Sequence, residues 1–273
     1  LSMSWNKRLI RYANVVKTFE NWPVYFQYRK ERKGSNPIQK LTDPIVFKCR
    51  HHRILIAVPK SKMDNLFEEI FALRIYWPNF WSWANREKLT VLDIGSNIGL
   101  FSYFVFSQFP NSKIIAVEPI EENLRWMESL HQMNPTTQFF VKKGVIYSER
   151  NEVDLFLAAE GPFPVLSSVL STFSQNISKK IRIPSYLLED LFNEYQIEKC
   201  DLCKLDCEGA EYEILFHCPS NIYDRINRIV LEAHHIPHPQ YSPLLLHNFL
   251  KDRGYSVYSE PMTEQTTMIY AWK

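Results

Sequence analysis

The sequence predicts an α/β chain built on a doubly wound, mostly parallel sheet, and three observations predict it. An apolar strand over residues 91–94 breaks at glycine and re-enters as a helix near Leu100. Apolar strand patterns then alternate with helical ones as far as Arg253, as crossover-connected parallel strands require. Acids recur where those strands end, at Glu118, Asp206 and Glu232, and open α/β sheets bind ligands outside the carboxyl ends of their strands.

The whole chain sets the bounds. Its 273 residues suggest one large domain, or one domain with an N-terminal extension. A hydrophobic fraction of 45% is ordinary for a globular protein with a sizeable core. The formal net charge of +2 gives no reason to expect nucleic acid or a strongly acidic partner. No apolar run reaches the length of a membrane span and no signal-peptide pattern is present, so the expected location is cytoplasmic. Four of the cysteines, Cys200, Cys203, Cys207 and Cys218, crowd one segment and Cys49 stands apart. Side chains alternate along a strand, so Cys200 and Cys203 would face opposite ways. Reduced, buried thiols are therefore expected rather than a metal site.

Trp5, Leu9, Ile10, Tyr12, Val15, Val16 and Phe19 form roughly one helical stripe with a basic opposite face, stopped at Trp22-Pro23. Residues 1–44 thus read as a helical extension. It packs on a core or, through residues 5–33, makes a weak membrane-surface contact. Residues 45–49 and 53–58 predict a hairpin around His51-His52. Residues 63–83 predict an aromatic helix with a break near Pro78. Hairpin and helix together, residues 45–88, are expected to cover the cleft of a domain spanning 45–273. Helical spacing of aromatics more often means core packing.

Further strands are predicted over residues 113–118, 137–141, 153–158, 201–205 and 228–232. Helices are predicted over 121–132, 186–195, 210–217 and 243–253. Residues 162–178 are serine-rich and show no period. Residues 255–259 and 267–272 close the chain as two strands. Together with residues 91–94 these are eight strand segments, from which a seven-stranded, Rossmann-like sheet with an antiparallel C-terminal pair is expected.

The central turn reads Asp93-x-Gly95-Ser96-Asn97-x-Gly99. A strand-to-helix turn offers free N–H groups and a positive helix end, and glycine lets a ligand approach closely. The spacing differs from the Gly-x-Gly-x-x-Gly of a dinucleotide site, and Asp93 would repel a pyrophosphate. An acid there suits a cationic, phosphate-free nucleoside, and S-adenosylmethionine fits. Glu118-Pro119 ends the next strand, where an acid takes ribose hydroxyls. Gly144-Val145 forms the following turn. The expected donor site is thus Asp93, Gly95, Ser96, Asn97, Gly99, Glu118, Pro119, Gly144 and Val145.

Two neighbouring strands end in Lys204-x-Asp206-x-Glu208 and in Glu232-x-His234. The glycine turn, Glu118-Pro119, Leu205-Asp-Cys-Glu-Gly-Ala-Glu-Tyr212 and Val230-Leu-Glu-Ala-His234 together resemble the FkbM-type methyltransferases. The resemblance runs from about residue 45 to 272. It implies a class I methyltransferase fold, S-adenosylmethionine as donor, and O-methylation of a sugar, glycan or small natural product. Ser96 replaces the usual alanine of the turn, and Cys207 a common valine.

An alcohol acceptor must lose its proton as the new bond forms, which requires a base. His234, titrating near neutrality, is the first candidate, followed by Asp206 and Glu208. Lys204, Glu232 and Ser168 are the expected acceptor contacts. No metal is expected; the alternative is a divalent ion held by Asp206, Glu208, Glu232 and His234. Amine or nucleic-acid methylation is the nearest rival, but no Asn/Asp-Pro-Pro-Tyr run and no basic stripe is present. A nucleoside-binding protein without turnover is the rival outside enzymes.

Overall fold

The computed structural model describes residues 5–34, 40–136, 138–158, 167–168 and 177–273. Helices α1 (Trp5–Thr18) and α2 (Pro23–Arg32) precede strands β1 (Ile45–Lys48) and β2 (Leu55–Val58). A 3-10 turn (Lys60–Lys62) and a π-type helix (Met63–Leu73) lead to β3 (Thr90–Ile94), α3 (Leu100–Gln108), β4 (Lys113–Glu118) and α4 (Glu121–Met133). Then come β5 (Phe139–Lys143), β6 (Val145–Ile146), β7 (Asn151–Ala158), β8 (Ser167–Ser168) and β9 (Ile177–Tyr186). The chain continues through α5 (Leu188–Glu194), β10 (Leu202–Leu205), α6 (Glu211–Phe216), α7 (Ser220–Tyr223) and β11 (Arg228–His234). It closes with α8 (Pro243–Asp252), β12 (Ser256–Pro261) and β13 (Thr266–Trp272).

Contacts divide the chain into two compact units. The first comprises Leu1–Glu87, Gly99–Asn111 and Met127–Thr137, and the second the rest. The hairpin falls in the same unit as the N-terminal helices. Within the first unit the expected single N-terminal helix is two. Pro23 does not stop the chain but starts α2, where its missing N–H costs nothing. The hairpin forms as expected, with Ile45 opposite Val58. Phe19, Phe47, Phe67 and Phe71 make its core, all fully buried, with Phe47 and Phe67 rings 4.5 Å apart.

Beside them sits a buried carboxylate. Glu68 accepts from Arg11 Nε at 2.5 Å, Arg29 at 3.1 Å and Tyr25 Oη at 2.6 Å. The aromatic helix ends at Leu73, well short of residue 83. Arg74 turns left-handed at φ 56°, and the following N–H closes back on the Glu69 carbonyl. The aromatic residues beyond leave helical spacing and stack on one another, Trp77 on Trp83 at 4.4 Å. On α1, Val15 is buried while Leu9 and Ile10 are half exposed. Among the described residues no helix is long and apolar enough to cross a membrane.

The second unit holds a seven-stranded sheet in the order β12-β13-β11-β10-β3-β4-β5. Strands β5, β4, β3, β10 and β11 run parallel, and β13 is antiparallel to both β11 and β12. This is the predicted architecture. From β3 the chain builds outward through β4 and β5, then returns to β10 and β11 on the other side. The strand order therefore reverses between β3 and β10, the place where such sheets open a ligand crevice. Register sets Asp93 beside Lys204 and Ile94 beside Leu205.

A second sheet, β6-β9-β7-β8, was not expected. Ile181 and Ile183 alternate with Lys180 and Arg182 in β9, a period of two masked by Pro184 and by the charges. Its outer side carries exposed ion pairs, Asp154–Lys180 at 2.8 Å and Glu152–Arg182 at 3.1 Å, of a kind worth little in stability. Residues 159–166 and 169–176, most of the serine-rich stretch, lie outside the described residues.

Candidate active site

The crevice opens at the carboxyl ends of β3, β4 and β10, all within the second unit. Ile94, Gly95, Asn97, Glu118, Asn123 and Asp206 are among its walls, as are Pro119, Gly144, Val145, Leu155 and Glu208. It encloses about 620 Å³, solvent mouth included, within the size range of small-ligand pockets.

Glu118 is its anchor. The residue ends β4 at 4% exposure, and its carboxylate is held by three N–H groups. Oε1 accepts from the Ile120 amide at 3.0 Å and from Asn123 Nδ2 at 2.9 Å, and Oε2 from the Asn97 amide at 2.9 Å. Burial raises the Glu118 pKa, and these hydrogen bonds pull against it. Asn97 can present its amide because it turns left-handed at φ 50°, a conformation asparagine tolerates. Gly95 is required by close approach. A Cβ there would stand 1.9 Å from the Asp206 carbonyl oxygen. That contact brings the β3 and β10 ends together, and the Asp206 amide donates to the Ile94 carbonyl at 3.1 Å.

Asp93 and Lys204 do not line the crevice as expected. Asp93 is fully buried and lies 3.4 Å from the Lys204 ammonium, which also donates to the Gly95 carbonyl at 2.7 Å. Burial would lower the Lys204 pKa, but Asp93 and Asp206 outweigh it and raise it. Lys204 therefore acts beneath the turn, neutralising Asp93 and fixing the Gly95 peptide, and does not meet an acceptor. Register explains this, because the two side chains share one face of neighbouring strands. Ser96 is also buried, its hydroxyl on the Val117 carbonyl at 3.3 Å. Gly99 makes the left-handed entry to α3. Ser168 lies on β8, and its side chain is outside the described ones.

The loop after β10 builds the second half of the site. Glu208 is left-handed at φ 50° and Gly209 follows at φ 103°, which folds the loop back over the start of α6. The first residue of that helix, Glu211, is fully buried. Its Oε1 accepts from the Cys207 amide at 2.7 Å and Oε2 from the Gly209 amide at 3.0 Å. Oε1 also faces His234 Nδ1 at 3.1 Å, while His234 Nε2 faces Glu208 Oε2 at 3.3 Å. His234 is thus clasped between two carboxylates at 5% exposure.

Burial alone would lower the His234 pKa. Glu211 first, then Glu208 and Asp206, push it up to about 10 instead. The near-neutral titration expected for this residue therefore does not hold, and at neutral pH it carries a proton. Glu208 is also raised, by burial foremost and by Asp206, Glu211 and Glu232, against the pull of His234. Asp206, Glu232 and His234 offer ligand atoms within 4.8 Å of one another. A metal there would have to displace the proton of His234. All five cysteines are free.

Sequence reasoning missed two residues. Glu211 stood in the sequence only as part of the Leu205–Tyr212 run and was given no role of its own, although its spacing from Cys207 suits a carboxylate reaching back to loop amides. Asn123, within the predicted helix 121–132, was given no role.

A glycine turn bonded to an acid on the next strand, at the reversal point of this sheet order, defines a Rossmann-like methyltransferase fold. The chain belongs to the FkbM methyltransferase domain family, whose model matches residues 93–257. Methyltransferase sdnD of Sordaria araneosa is 25% identical over 211 residues, covering 65% of this chain and 77% of that protein. The antimetabolite synthetase AmbE of Pseudomonas aeruginosa is 23% identical over 211 residues; the match covers 64% of this chain but only 10% of AmbE. The crystal structure of Methyltransferase FkbM from Methylobacillus flagellatus shares the fold at a TM-score of 0.50 and 16% identity, over 72% of this chain and 48% of that one.

Proposed function

We propose that this chain transfers a methyl group from S-adenosylmethionine to a hydroxyl of a sugar, glycan or small natural product, in the cytoplasm. The observation that carries the reading is the meeting, in one crevice, of the Glu118 cradle with the Glu208–His234 pair. The residues present fit the donor. Glu118 offers a buried acceptor for ribose hydroxyls, and Asn123, also in the lining, has a buried amide oxygen with no hydrogen-bond partner among the described residues. Glu118, Asn97, Asn123 and the Gly144-Val145 turn would hold it. The name of AmbE, an antimetabolite synthetase, supports a small natural product as one acceptor class.

The donor supplies an electrophilic sulfonium methyl. What remains for the protein is to align the acceptor oxygen and accept its proton. Glu208 lines the crevice with its Oε2 3.3 Å from His234 Nε2, and an acceptor hydroxyl brought beside this carboxylate can give it a proton. Glu208 takes the hydroxyl proton. His234, held as an imidazolium by Glu211, stays beside it and favours its charged form, while Asp206 and Glu232 border the same space. In this reading no metal is needed.

Labelled methyl transfer onto a panel of sugar, lipid-glycan and hydroxylated metabolite acceptors tests the proposal. Transfer to a hydroxyl, abolished in Glu208→Gln, is the expected result. Transfer to an amine, or to none of these while nucleic acid is labelled, would overturn it.

A further inference from the structure

We infer that Asn123 takes one hydroxyl of the donor ribose through its side-chain oxygen, while Glu118 takes the other. The inference rests on the donor reading above and extends it to a residue with no role there beyond lining the site.

Counting lone pairs leads to it. A carboxylate oxygen accepts two hydrogen bonds comfortably, and the group as a whole about four. Glu118 Oε1 already accepts two, from the Ile120 amide and Asn123 Nδ2. Oε2 accepts one, from the Asn97 amide. The acid that would grip a ribose diol therefore has one good acceptor position left, and a diol brings two donors. The second hydroxyl needs another acceptor close to Glu118.

Asn123 provides it. The residue is 1% exposed, lies early in α4 and lines the crevice. Its orientation is not free. Nδ2 donates to Glu118 at 2.9 Å, and turning the amide over would set its oxygen against a carboxylate oxygen. Oδ1 is thereby the atom turned away from the acid, and it is buried without a hydrogen-bond partner among the described residues. A buried carbonyl oxygen left so is costly unless a ligand donates to it. The neighbouring hydroxyl of a cis-diol, one of whose hydroxyls sits on the acid, is such a donor. Asn123 thus does two things at once: its amide N–H saturates Glu118 Oε1, and its oxygen replaces the acceptor it has used up.

Calorimetric titration of S-adenosylhomocysteine and of its 2′-deoxy and 3′-deoxy analogues tests this without any turnover. Against the unmodified protein, both deoxy analogues should bind more weakly. The one missing the hydroxyl on Glu118 should lose about twentyfold, and the one missing the hydroxyl on Asn123 about fivefold, the weaker loss reflecting a neutral acceptor. In Asn123→Ala, one deoxy analogue should bind within about twofold of S-adenosylhomocysteine, and the other should keep its penalty.

Indifference of the unmodified protein to either hydroxyl would overturn the inference even if Asn123→Ala did not fold. So would Asn123→Ala retaining both penalties. An S-inosylhomocysteine arm guards the assignment: if the Asn123→Ala effect appears there instead, the oxygen reads the adenine amino group and the ribose role is wrong. Failure of S-adenosylhomocysteine itself to bind the unmodified protein would refute the donor reading, a separate outcome.

Discussion

Glu211→Gln removes one charge and leaves the shape, so its effect can be worked out bond by bond. The carboxylate accepts from Cys207, Gly209 and His234 at 2.7, 3.0 and 3.1 Å, entirely out of solvent. A glutamine oxygen placed at Oε1 keeps the Cys207 and His234 contacts. Its NH2 group then meets the Gly209 N–H, donor against donor. One charge-assisted bond is lost, roughly 1.5–3 kcal/mol, and a buried donor is stranded, roughly 1–3 kcal/mol. The expected destabilisation is about 3–5 kcal/mol, read as a lower urea midpoint at unchanged slope.

The pH dependence supplies a second readout. A folded-state pKa of about 10 for His234, against 6.5 for the free side chain, means stability that is complete below 6.5 and drains away as pH climbs toward 10. The unmodified protein should therefore lose stability between pH 7 and 10. The variant, without the strongest of the raising charges, should lose less of it. A variant that unfolds with the unmodified protein and keeps the same pH slope would show that this carboxylate does not organise the loop.

Four further outcomes are expected. Glu208→Gln should cut turnover about 10²–10⁴-fold with donor affinity little changed; because Glu208 holds its proton above the ordinary carboxylate range, activity of the unmodified enzyme should fall as pH drops from 8.5 to 6, and a flat profile would remove Glu208 as the base. Gly95→Ala, facing a 1.9 Å contact and a left-handed backbone, should cost at least about 1–2 kcal/mol from the backbone alone and weaken calorimetric donor binding. Glu68→Gln leaves two arginines short of a buried partner and should lower stability by roughly 3–5 kcal/mol in thermal unfolding. Leu9→Glu with Ile10→Glu tests the N-terminal helix: equal sedimentation of both proteins with anionic vesicles at low salt would exclude a membrane contact through α1.

The sheet was legible because its strands are short apolar runs that cannot sit elsewhere. Lys113–Glu118 was predicted to the residue, bounded by charges at both ends. β9 was missed because Lys and Arg on its outer face diluted the pattern that Ile181 and Ile183 carry. The helix from Met63 was drawn too long, since Tyr76 to Trp83 kept an aromatic density that helical packing also produces. At the site, strand ends announced Glu118, Asp206, Glu208 and His234. Whether an acid at a strand end meets a ligand or a neighbour is a matter of register, which is why Asp93 and Lys204 turned out to face each other. The charge state of His234 was least legible of all. It depends on carboxylates from a separate segment, brought around the ring only by the left-handed fold of Glu208-Gly209.

Those strand ends have a consequence for the order of events in a catalytic cycle. Glu118, Asp206 and Glu208 line the crevice and no Lys or Arg does among the described residues, an imbalance that makes it a well for positive charge. A sulfonium donor arrives as a cation and, once its methyl has gone, leaves as an uncharged thioether. The field that captured it then has nothing to hold. Spent donor is released by the same electrostatics that drew fresh donor in, and added salt should narrow the gap in affinity between the two.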